Sequence, residues 1–177
     1  MVRAIRLLDR LADLTGSAVS WLTLAMVVVT FLVVLLRYAF DLGWIALQES
    51  VTYMHAMVFM LGAAFTLRHN GHVRVDILYQ RFSPRGRAWV DLFGALLLLA
   101  PMCLFVAWEG WDYVASSWAV LEGSREAGGL PGVFLLKSLI LVMPVLLLLQ
   151  GVAGALRDLL VVRGRAPLEE EPPVAEL

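Results

Sequence analysis

The chain is poor in charge: only 16% of its 177 residues are Asp, Glu, Lys or Arg, while 60% are hydrophobic. That balance excludes an ordinary soluble domain, in which about a quarter of residues are charged. Charge is missing altogether from four windows, residues 14–36, 50–67, 92–108 and 138–156. Cysteine is nearly absent too. Cys103 stands alone inside the third window, so no intramolecular disulfide forms, and a quinone-linked thiol oxidase, which needs a cysteine pair, is excluded. No glycine-rich phosphate loop or other nucleotide motif appears, which leaves ATP hydrolysis unsupported. A bis-histidine haem needs two histidines within the membrane, and only His55 qualifies. The sequence therefore offers no catalytic residue, no cofactor, no metal centre and no nucleic-acid partner; an enzyme is not expected.

What the windows do offer is length. A helix crosses a hydrocarbon core of ~30 Å with roughly 20 apolar residues at about 1.5 Å each. The windows run to 23, 18, 17 and 19 residues, and the two shorter ones reach that length once their flanks are counted. Four such helices with hardly a polar face among them do not suit the core of a soluble bundle. The expected fold is an all-α integral membrane protein with four transmembrane helices, at about residues 17–38, 45–67, 88–109 and 133–157. The first apolar run is longer than the 7–15 residues of a signal peptide and lacks a small-residue exit, so it is expected to stay.

Basic residues set the orientation. Eleven of the fourteen fall on one side: Arg3, Arg6, Arg10, Arg68, Arg74, Arg81, Arg85, Arg87, Arg157, Arg163 and Arg165. The other side receives only Arg37, Arg125 and Lys137, so both termini are expected in the cytoplasm. The net charge of −1 conceals this basic face. Residues 1–16 are expected to form a short amphipathic helix on the inner leaflet, its arginines near anionic headgroups. Residues 17–160 make the membrane domain, and the acidic, proline-containing segment 161–177 is expected to be a disordered tail. Ser83-Pro84 reads as a cap followed by a first-turn proline, and Pro101 and Pro144 read as kinks.

Two groups of polar residues invite a chemical reading. The stretch RHNGHVRVD, residues 68–76, contains His69 and His72 at H-x-x-H spacing with Asp76 beyond. Zinc needs three or four ligands held by structure, and Gly71 interrupts a helix here while no second ligand cluster exists to complete the shell. A basic inner-face loop explains the arginines. The alternation from His72 through Arg74 to Asp76 also suits an extended strip against a partner, and Asp76 suits the cap of a short helix through Arg81. The second group lies within the membrane. Gln48, Thr52 and His55 share one face of the second span, with Glu49 and Tyr53 adjoining. His55 is near the midplane, either hydrogen-bonded in a helix interface or marking function. Glu49 and Lys137 have equal depth and opposite charge, so they either pair or snorkel to water.

Taken in order, Arg37-Tyr38, Gln48-Glu49 with Tyr53, Gly62-Ala63-Ala64, the run Gly71 to Asp76 with His72 and Arg74, Gly128-Gly129-Leu130-Pro131 and Lys137 form a pattern. It resembles the small (DctQ-type) membrane subunit of a tripartite ATP-independent periplasmic (TRAP) transporter. The resemblance covers roughly residues 20–156 and leaves the N-terminal helix and acidic tail outside. It implies location in a bacterial inner membrane and a large permease subunit of many spans that carries substrate and sodium. It also implies a periplasmic binding protein that delivers an organic acid, with the small subunit as a membrane scaffold. Beside it stands a self-contained small transporter that uses Glu49 or His55 for ion or proton coupling.

Overall fold

The computed structural model describes residues 1–73 and 76–164, together with the backbone but not the side chains of Asp76 and Leu78, and no strand occurs among the described residues. Helix α1 runs Val2–Phe40, α2 Ile45–Arg68, α3 Asp76–Tyr79, α4 Pro84–Gly94, α5 Ala100–Ala119 and α6 Val133–Val162. A π-helical turn, Ala95–Leu99, joins α4 to α5. Four rods are long and apolar enough to cross a membrane: α1, α2, α4 through α5, and α6. Arg74 and the segment 165–177, on which a partner contact and a disordered tail were expected, lie outside the described residues.

The separate amphipathic helix expected before the first span is instead continuous with it. Helix α1 holds 39 residues, about 58 Å at the helical rise. No proline interrupts it, and the Thr15 hydroxyl bonds back to the carbonyls of Leu11 at 3.0 Å and Ala12 at 2.9 Å. Gly16, the one potential weak point, is held by packing: a Cβ there would lie 2.3 Å from the Phe65 ring of α2. Ile5, Ala12, Gly16 and Val19 are the buried residues of α1, so its first half packs into the bundle's end. The helix stops where Asp41 turns left-handed (φ 51°) and Leu42 N–H donates to the Leu36 carbonyl at 3.0 Å.

The third rod follows its sequence signals. Ser83 caps α4, its hydroxyl accepting from Gly86 N–H at 3.2 Å, with Pro84 in the first turn. The π-helical turn falls just before Pro101, whose ring and missing N–H disrupt the hydrogen bonding of the preceding turn. Helix α5 extends ten residues past Glu109, because neither glycine nor proline follows Gly110 until Gly123. Helix α6 passes through Pro144 unbroken.

Packing centres on α6, which touches α1, α2, α4 and α5, while α1 and α2 also pair along their length. Its buried residues, Pro144, Leu147, Gln150, Ala153 and Leu160, fill the middle of the bundle. One end of the bundle carries the 41–44 and 120–132 connections; the other carries the start of α1, the 69–83 connection and the end of α6.

Candidate functional site

The polar side chains gather at both ends of the bundle. At the end of the 120–132 connection, Glu49 projects from α2 just after its first turn. One of its carboxylate oxygens accepts from the Ser124 hydroxyl, and the other from the Leu130 amide at 2.7 Å. Ser124 N–H in turn donates to the Leu130 carbonyl at 2.9 Å, closing the loop on itself. The glycine pair is required by this geometry. Gly128 has a positive φ of 80°, and a Cβ on Gly129 would sit 2.4 Å from the Ser124 oxygen and 2.8 Å from the Glu49 carboxylate.

Lys137 does not pair with Glu49. Its ammonium lies 2.5 Å from Glu122 and over the Tyr113 ring, 3.9 Å from the centroid. The Glu122 carboxylate also accepts from the Ser117 hydroxyl at 2.7 Å. The Lys137 hydrogen bond, followed by that of Ser117, holds the Glu122 carboxyl below the usual glutamate range. Equal depth brought Glu49 and Lys137 together in the sequence; the intervening loop supplies each with a nearer partner. Trp118 completes this end, its indole N–H donating to the Ser138 hydroxyl at 2.8 Å.

At the opposite end the hub is Asp9, on α1. Its carboxylate accepts from Arg157 at 2.7 Å and from the Gln150 amide at 3.1 Å, both on α6. Arg68, the last residue of α2, donates to the Asp9 carbonyl at 2.7 Å and pairs with Asp13. His69 stands 3.8 Å from Asp13. Three helices are thus tied through one aspartate. Sequence reasoning had passed over Asp9, Asp13, Gln150, Arg157, Glu122 and Ser124. Asp9, Asp13 and Arg157 could have been flagged as isolated charges at helix ends; Gln150, Glu122 and Ser124 carried no such signal.

The other expected site residues scatter. Arg37 and Tyr38 are exposed at the end of α1, and His72 is exposed beyond α2. Tyr53 is partly covered, and its hydroxyl has no hydrogen-bond partner among the described residues. Gln48 and His55 are exposed on α2 and contribute no hydrogen bond to either cluster. The short helix expected through Arg81 is α3, which includes Asp76 and ends at Tyr79; Tyr79 hydrogen-bonds Asp91 of α4, while Arg87 reaches the Gln80 carbonyl at 2.9 Å.

Chemically, these clusters bind helices and a loop to one another. The carboxylates of Asp9, Glu49 and Glu122 are occupied by intrachain donors, and the rods between them are apolar, which defines a polytopic membrane protein braced at its two ends. Residues 26–161 match the family described as tripartite ATP-independent periplasmic transporters, DctQ component. The chain belongs to this family, a transporter component. It is also similar to a protein of Haemophilus influenzae whose provisional name is TRAP transporter small permease protein, with 31% identity over 85 residues. That alignment covers 48% of this chain and 52% of the relative, so the chain spans about half the length of the curated relative it matches. No solved structure matches.

Proposed function

We propose that the chain is the small membrane subunit of a TRAP-type secondary transporter in a bacterial inner membrane, with both termini cytoplasmic. In this reading it scaffolds a large permease subunit and helps dock a periplasmic binding protein, for sodium-driven uptake of an organic acid. The observation that carries the reading is the family match over residues 26–161. The structure supports a scaffold role in one particular way. A path for an organic anion needs broken helices or inward cationic groups near the midplane, whereas here Arg68, Arg157 and Lys137 sit in the end clusters, engaged by carboxylates. The orientation rests on the excess of arginine at the end that carries the 69–83 connection.

Reconstitution tests the reading. The purified chain in liposomes is expected to move no organic acid, with or without a sodium gradient. Adding the large subunit and the loaded binding protein restores uptake. Uptake by the small chain alone, abolished by Glu49→Gln or His55→Ala, would instead establish a self-contained transporter. The position of the Glu49 carboxylate weighs against that alternative, because both its oxygens hold the 120–132 loop.

A further inference from the structure

Within α2, the exposed residues are Gln48, Thr52, His55 and Phe59 and no others. Their spacing of four, three and four is that of a seam against one neighbouring helix. Three of the four are polar. By contrast, α1 exposes Trp21, Leu24, Val28 and Phe31 at comparable positions, and the rod of α5 exposes Leu104 and Phe105. Those faces suit lipid; the α2 face does not.

Hydrogen bonding sharpens the contrast. Ser50 donates to the Leu47 carbonyl at 2.7 Å and Thr66 to the Gly62 carbonyl at 3.1 Å, each bonding to its own helix. Glu49 is held by Ser124 and Leu130. Gln48, Thr52 and His55 have no side-chain hydrogen bond among the described residues. His55 lies about 16 Å along the helix from Trp44 at the helical rise, too deep for its ring to reach headgroups. Hydrocarbon supplies neither donor nor acceptor there. Only another polypeptide can.

We propose that the Gln48–Thr52–His55–Phe59 face of α2 seats a membrane-spanning helix of a different polypeptide, the transporter's large membrane subunit, which presents hydrogen-bonding groups opposite Thr52 and His55. The proposal rests on the reading of this chain as a TRAP small subunit, since that reading supplies a large membrane neighbour. Phe59, 72% exposed, is the apolar anchor of the seam, one turn below His55.

The test uses the full chain co-expressed with the large subunit and the binding protein. A photo-crosslinking residue is placed singly at 52 or 55, and at the lipid-facing references 28 and 104. Adducts with the large subunit are expected from 52 and 55, at ~tenfold the yield from 28 and 104. If the large subunit co-purifies but its adducts come from 28 or 104, this face is not its seat, and the small-subunit reading survives. Self-adducts of the chain from 55 would replace the large subunit with a second copy and overturn the proposal. Failure of the large subunit to co-purify at all would sink both. The double variant Thr52→Val/His55→Leu suits lipid as well as the native face or better, so its folding is not at risk. It is expected to retain ~tenfold less large subunit, with unchanged melting of the purified chain; undiminished co-purification would overturn the proposal.

Discussion

Asp9 and Arg157, 148 positions apart, form an ion pair at 2.7 Å that joins the start of α1 to the last turns of α6. Both side chains are about four-fifths covered, and Arg68 and Gln150 converge on the same aspartate. Removing the carboxylate strips Arg157 of its ion partner and the Gln150 amide of its acceptor, while Arg68 keeps the Asp9 carbonyl and Asp13. Asp9→Leu is expected to destabilise the detergent-solubilised chain by ~2 kcal/mol, read as a drop of several degrees in melting temperature. Asp9→Asn, which keeps an acceptor for Gln150 and Arg157, should cost clearly less. Equal melting of the two variants would show that the charge and its hydrogen bonds are idle.

Glu49→Gln acts at the other end. The amide keeps one acceptor oxygen for the Leu130 amide and can only donate to the Ser124 hydroxyl, so both contacts lose the assistance of the carboxylate charge. The loss should be localised to the loop. Hydrogen exchange at the Leu130 amide is expected to accelerate by ~tenfold, with the core amides of α6 unchanged.

Gly16→Val sets two known effects against each other. Replacing glycine inside a helix gains up to ~1 kcal/mol in propensity, while forcing a side chain into a packed ring costs ~1–3 kcal/mol or more. A Cβ at 2.3 Å from Phe65 decides for the second. The single variant should melt lower, and Phe65→Ala in the same chain should make the valine far better tolerated. A double variant as damaged as the sum of the singles would contradict the packing.

The Glu122 carboxyl is depressed by its hydrogen bonds to Lys137 and then Ser117. A depressed carboxyl stabilises the fold above its unfolded value of about 4.3 and loses that contribution as pH falls through the folded value. Acidification below about pH 4.3 should therefore loosen the Glu122 end of the bundle. Hydrogen exchange at the Phe134 amide, which donates to the Glu122 carbonyl at 3.3 Å, would report it. Lys137→Met should flatten that dependence; an unchanged profile would remove the pair as its origin.

The four rods were legible because a charge-free run of membrane length has few other uses, and the Ser83-Pro84 start because a cap is a local device. The continuity of α1 was not. The amphipathic pattern of residues 1–16 suggested a separate helix, and only Phe65, brought over from α2, makes Gly16 a packing position within a single one. Nor could depth alone assign partners to Glu49 and Lys137. One carboxylate oxygen of Glu49 binds a backbone amide, which no side-chain pattern announces. Charges at 9, 68 and 157 gave no joint signal, because a chain met in sequence order does not reveal which helix ends meet.

Helix α6 is made after every helix it packs against. During synthesis α1 and α2 can pair as soon as both have entered the membrane, but α4 and α5 pack chiefly on a helix that does not yet exist. Arg68 can find Asp13 early, while Asp9 waits for Gln150 and Arg157. The 120–132 loop can dock on Glu49 before α6 is complete, holding the place into which Lys137 then brings its charge to Glu122. Assembly of this bundle is thus a closing step: two half-built pieces, held to each other only by the loop on Glu49, leave their inner faces uncovered until their common centre arrives.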